Sequence, residues 1–102
     1  MNQFGEKIKK LRVKRGLLQR EIAYELGMDT PMLSKIERGE RNAKREQVEI
    51  LCIIFEVPIN DLLSLWLADK VYEVVKGEDA ALKALAMTEN KLKRNSNRKG
   101  KN

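Results

Sequence analysis

Between Gln19 and Gly39 the chain reads QREIAYELGMDTPMLSKIERG. Ile22, Ala23 and Leu26 give the first half of this segment one apolar helical face, and Leu33 and Ile36 give the second half another. Gly27 between them permits the positive φ of a sharp helix end. Two short helices set this close can lie one across a DNA backbone and the other in its major groove. The outward side of the second helix then carries Thr30, Pro31, Ser34 and Lys35, the candidates for reading base edges. Lys35 can donate to guanine acceptors, and Thr30 can meet a base edge or a thymine methyl, whereas proline and the neighbouring Met32 offer no side-chain hydrogen bond. Two hydrogen-bonding readers per half-site are few, which moves specificity toward DNA shape and the spacing of half-sites. Just beyond lie Arg38, Arg41, Asn42, Lys44 and Arg45, a cationic run that reads either as phosphate contacts or as a solvated face.

Composition narrows the chemistry further. A length of 102 residues allows one small domain with a modest core and an appended arm. The chain holds no histidine and a single cysteine, Cys52, so His-based catalysis, zinc cages and disulfides are not expected, and no cofactor is called for. A buried, inert thiol is the expectation for Cys52. No nucleophile elbow or phosphate-cradling glycine loop is present, which argues against an enzyme. No apolar run approaches the roughly 20 residues of a membrane span, and no secretory signal is seen, so a cytoplasmic location is expected. The net charge of +6 divides unevenly: +3 over residues 1–58, −3 over 59–90 and +6 over 91–102. A basic balance suits a polyanion but also serves solubility; the acidic block is a poor place for DNA.

The elements that must position these residues are helical. Asn2 can cap a first helix that buries Phe4, Ile8 and Leu11 and ends at Gly16. The second helix covers about Gln19 to Leu26, with Leu18 at its N-cap. Asp29 caps the third, with Thr30 and Pro31 in its first turn, where the missing proline N–H costs nothing. A loop from Gly39 to Ala43 leads to a fourth helix of about Lys44 to Phe55, broken by Val57-Pro58. Its inner stripe is Val48, Leu51, Cys52 and Phe55, but Ile50, Ile53 and Ile54 carry apolar character round to a second face that something must cover. A long helix from about Ile59 to Lys76 offers Leu63, Leu67, Val71 and Val74 with Leu62 and Trp66 beside them. After Gly77 a last helix begins at Glu78-Asp79 and carries Leu82, Leu85, Ala86 and Leu92. The tail KRNSNRKGKN lacks core-forming residues and is expected to be mobile.

With Gln19 at the start of the second helix, the apolar triplet, the turn glycine and Ile36-Glu37-Arg38-Gly39 at the exit, the chain resembles the Cro/C1-type helix-turn-helix regulators, the XRE family, over about residues 3 to 65. The resemblance implies an all-α, five-helix repressor-like bundle, here with a lengthened fifth helix and an added C-terminal helix. It places Arg12 and Glu37 as a structural ion pair and gives the Gln19 amide to a phosphate, where the plain reading is a solvated first-turn glutamine. It also favours phosphate contacts for Arg38, Arg41, Asn42, Lys44 and Arg45. Three positions depart from the family: Leu18 stands where Ser or Thr usually caps, at a cost of about 1 kcal/mol, Arg45 replaces an apolar residue, and Cys52 replaces alanine.

The domain organisation expected is a DNA-binding core over 1–58, a dimerising helical extension over 59–92 and a basic tail over 93–102. The function expected is a sequence-specific transcriptional regulator, similar to a phage repressor or a restriction-modification controller, that binds double-stranded DNA as a homodimer through Ile50, Ile53, Ile54, Leu63, Trp66, Leu67, Val71 and Val74. The alternative is an antitoxin or other partner-binding helical protein with a DNA-binding module, its protein partner held by the C-terminal helices.

Overall fold

A computed structural model describes residues 2–100, with side chains placed through Ser96; these form six helices and, among the described residues, no strand. They are α1 (Gln3–Lys14), α2 (Gln19–Leu26), α3 (Thr30–Glu37), α4 (Arg45–Phe55), α5 (Ile59–Val75) and α6 (Ala81–Gly100). The boundaries follow local chemistry. Asn2 Oδ1 accepts from the Gly5 N–H at 3.1 Å to start α1, and Asp29 Oδ1 accepts from the Met32 N–H at 2.8 Å to start α3. Leu18 has no such oxygen to offer α2, which keeps half of a capping box: the Glu21 carboxylate accepts from the Leu18 N–H at 3.1 Å. Helix α4 starts one residue later than its sequence suggested, which leaves Lys44 as its N-cap, and the Gln47 side chain accepts from the Lys44 N–H at 2.8 Å. Gly27 ends α2 at φ 68°, as the turn requires.

One compact unit spans Met1–Tyr72. Its core joins Phe4 and Ile8 of α1, Ile22, Ala23 and Leu26 of α2, Leu33 and Ile36 of α3, and Val48, Leu51, Cys52 and Phe55 of α4 to Leu62 and Leu63 of α5. The expected boundary at residue 58 is therefore too early, because the first turns of α5 complete the core rather than leaving it. Leu63, assigned from sequence to a dimer face, is 8% exposed and packs inside its own chain. Ile50, Ile54 and Trp66 also pack against this core in part, while Ile53 is 77% exposed.

Long-range ties position α1 and α5. The Asp69 carboxylate accepts from the N–H groups of Gln3 and Phe4 at 3.1 and 2.9 Å, satisfying two orphan donors of α1. Arg15 reaches the other end of α4, donating to the Phe55 carbonyl at 2.6 Å and to Glu56 at 3.2 Å. Gly5 lets α1 cross the end of α3: a Cβ there would stand 2.5 Å from the Ile36 carbonyl and 2.6 Å from that of Glu37.

The second unit, Glu73–Asn102, holds the end of α5, a turn at Gly77 and α6. Helix α6 starts at Ala81, two residues after the acidic pair expected to open it. It continues to Gly100, so the stretch read as a mobile tail from 93 is helical that far; residues 101 and 102 lie outside the described residues. The ion pair Glu73–Lys76 (2.6 Å) lies at the end of α5, and Glu89–Lys93 (3.2 Å) lies along α6. Leu82, Met87 and Leu92 are exposed.

Candidate nucleic-acid interface

The site is built on α3, and what holds α3 is a buried carboxylate. The Glu37 side chain is 3% exposed and accepts from Arg12 Nε at 2.8 Å, Arg12 Nη2 at 3.1 Å and Gln19 Nε2 at 2.9 Å. Arg12 also donates to the Leu17 carbonyl at 3.2 Å, and Asn2 Nδ2 donates to the Glu37 carbonyl at 2.7 Å. A forked guanidinium fits a carboxylate with two parallel bonds, so this pair sets angle as well as distance. Arg12 and Glu37 thus meet as the resemblance implied, and α1, α2 and α3 are joined at one point. The Gln19 bond was not foreseen: one arm of the amide is committed within the protein, so it is neither simply solvated nor wholly available to a phosphate.

On the outward side of α3, Pro31 and Lys35 are exposed and Thr30 and Ser34 half-buried. The Ser34 hydroxyl accepts from Arg38, which also pairs with Glu40. That hydrogen bond holds the Glu40 carboxyl below the usual carboxylate range and raises Arg38. Ser34 and Arg38 therefore have partners of their own, whereas Lys35 is exposed on the same outward face of α3. Beyond α3, Arg41, Asn42, Lys44 and Arg45 are all exposed, and among the described residues no carboxylate pairs with Arg41, Lys44 or Arg45. Arg45, whose direction the sequence left open, opens α4 toward solvent.

Between α3 and this loop lies an open groove of about 290 Å³ lined by Met28, Met32, Ile36, Arg41, Asn42, Lys44 and Gln47. Its lining sets Met28, Met32 and Ile36 beside the polar and cationic side chains of Arg41, Asn42, Lys44 and Gln47. The loop is pinned from α5 by Trp66, whose Nε1 donates to the Ala43 carbonyl at 2.8 Å. Elsewhere, Cys52 is buried, and burial first, then the charges of Asp61 and Glu49, push its thiol pKa up, away from reactivity. Among the described residues no helix is long and apolar enough to cross a membrane.

Known proteins are similar to this chain. The family profile described as Helix-turn-helix matches residues 8–62. The chain is similar to RstR, the cryptic phage CTXphi transcriptional repressor of Vibrio cholerae, with 39% identity over 61 residues that cover 60% of this chain and 55% of that one. It is similar to control protein C.BamHI of Bacillus amyloliquefaciens, with 33% identity covering 59% of this chain and 75% of the control protein. Among solved structures, the restriction-modification controller protein C.AhdI from Aeromonas hydrophila superposes with a TM-score of 0.54 at 28% identity, over 60% of this chain and 88% of that one. The chain thus spans little more than half the length of RstR, and α6 lies outside the profile match.

Proposed function

The chain belongs to the helix-turn-helix family, in its Cro/C1 (XRE) branch, and on that premise we propose that it is a sequence-specific DNA-binding transcriptional regulator acting as a homodimer on a near-palindromic operator. The observation that carries the reading is the outward face of α3, held in place by the Arg12–Glu37–Gln19 cluster and flanked by the unpaired cations Arg41, Lys44 and Arg45. In this reading Lys35 and Thr30 read base edges. Arg41, Asn42, Lys44 and Arg45 hold phosphates, and Gln19 turns the rest of its amide to one. Ser34 and Arg38 contribute through their mutual bond, as the edge of the reading face. The relatives named above are a repressor and controllers, and we propose no catalytic role.

One module of this size makes few contacts, and two on one face of a duplex make enough. The pairing surface we propose is the apolar surface still exposed on the fourth and fifth helices, Ile53, Leu67 and Val71, with Ile50 and Ile54 at its margin; Trp66 is left out of it, its indole N–H being held by Ala43 of its own chain. Each branched side chain newly buried contributes about 1.5–3 kcal/mol. The basic stretch 91–102 adds an attraction for phosphate that fades with salt. A second reading, a protein partner bound by α6, draws on the exposed Leu82, Met87 and Leu92. Footprinting of the region upstream of the protein's own gene tests the leading one. Protection of two half-sites centred about one helical turn, 34–36 Å, apart, or a multiple of that, supports it; no protection by the folded protein refutes it.

A further inference from the structure

We infer that Trp66 is the positioning residue of the phosphate-binding loop, holding Arg41, Asn42 and Lys44 in their binding geometry from α5. The inference rests on the DNA-binding reading above and names what controls that site. The loop between α3 and α4 is tied at each end by its own neighbours: the Glu40 N–H donates to the Lys35 carbonyl at 2.8 Å, and the Lys44 N–H donates to the Gln47 side chain at 2.8 Å. Between these ties the Ala43 carbonyl is held from outside, by the indole N–H of Trp66 at 2.8 Å across 23 positions of sequence. Ala43 is itself buried, so its two neighbours in the chain, Asn42 and Lys44, project from a point that α5 fixes.

The rest of α5 keeps that point still. The Lys70 ammonium sits 4.4 Å from the centre of the Trp66 ring, a cation–π contact that covers the ring with the next turn of the same helix. Asp69, one residue before, accepts both N–H groups at the start of α1 and so locks the register of α5 against the bundle. An aromatic plug alone needs no directed hydrogen bond to a loop carbonyl. A side chain that sets the loop does, because phosphate contacts gain from donors already in place when the duplex arrives.

The test is binding of the full chain to a synthetic duplex carrying the footprinted site, measured across a salt series. Four proteins are compared: wild type, Trp66→Phe, the double variant Arg41→Ala/Lys44→Ala, and the triple combination. Trp66→benzothienylalanine, which keeps the bicyclic ring shape and replaces the N–H donor by sulfur, is added so that a failure of Trp66→Phe to fold does not decide the matter. Either Trp66 variant should weaken binding about two- to tenfold, the worth of one hydrogen bond. It should also flatten the slope of log affinity against log salt by about 1. Added to the double variant, Trp66→Phe should cost little more. A merely structural role would lower the melting temperature and the active fraction but leave the salt slope alone. Unchanged slope and affinity with benzothienylalanine, fully additive losses in the triple variant, or a change in sedimenting mass that assigns Trp66 to the dimer contact would each overturn the inference while leaving DNA binding in place. Absence of duplex binding by the wild type would take down both.

Discussion

Replacing Arg12 by methionine should cost more stability than its place at the edge of α1 suggests. The Arg12 side chain is 13% exposed and its guanidinium supplies two of the three hydrogen bonds to the carboxylate of Glu37, whose side chain is 3% exposed, plus one to the Leu17 carbonyl. Without it the Glu37 charge keeps Gln19 as its donor but has no counter-ion and little water. Stranding one partner of a buried pair costs about 3–5 kcal/mol, against a total stability of about 5–15 kcal/mol for a domain. At about 4–8 °C per kcal/mol for a chain of this size, the midpoint should fall by on the order of 20 °C. Thermal unfolding followed by far-ultraviolet circular dichroism reads this directly. The double variant Arg12→Met/Glu37→Leu should recover much of the loss, because both charges leave together. A single-variant loss below about 1 kcal/mol, the range of an exposed pair, would refute the reasoning and mean that water reaches Glu37.

Gly5→Ala should destabilise by about 1–3 kcal/mol, since its Cβ would meet the backbone carbonyls of Ile36 and Glu37; a melting curve equal to wild type would show that α1 and α3 can part cheaply. Leu18→Ser should raise the unfolding midpoint by restoring a cap worth about 0.5–2 kcal/mol, because Leu18 is 49% exposed and loses little packing; an unchanged or lower midpoint would mean its burial outweighs the cap. Val71→Asp should give a folded monomer by sedimentation that loses cooperative binding to two half-sites. A variant that still sediments as a dimer would move the interface off α5.

Features within one turn of a residue were legible in the sequence: the caps at Asn2 and Asp29, the glycine ends, Pro31 in a first turn and the apolar stripes of α1 to α4. The Arg12–Glu37 pair, 25 positions apart, came from the family pattern, since no local rule joins those positions. Asp69 at the start of α1, Trp66 on Ala43 and Gln19 on Glu37 stayed hidden for the same reason: they join positions 65, 23 and 18 residues apart, and each side chain has an equally good local reading. The division at residue 58 failed because Leu62 and Leu63 belong to an apolar helix whose period does not say which turn faces the core and which faces away. The end of α6 was misread by composition. A missing core argues against packing, but lysine and arginine are good helix formers and a helix supplies its own backbone bonds.

The central claim, that α3 reads base edges through Lys35, is tested most directly by titrating wild type, Lys35→Ala and Arg41→Ala against a panel of single-base operator variants. Lys35→Ala should lose about 1–3 kcal/mol on the preferred base at one position per half-site and accept the alternatives there, while Arg41→Ala should weaken binding to every variant alike and flatten the salt slope. A Lys35→Ala profile parallel to that of wild type at every position would contradict the claim.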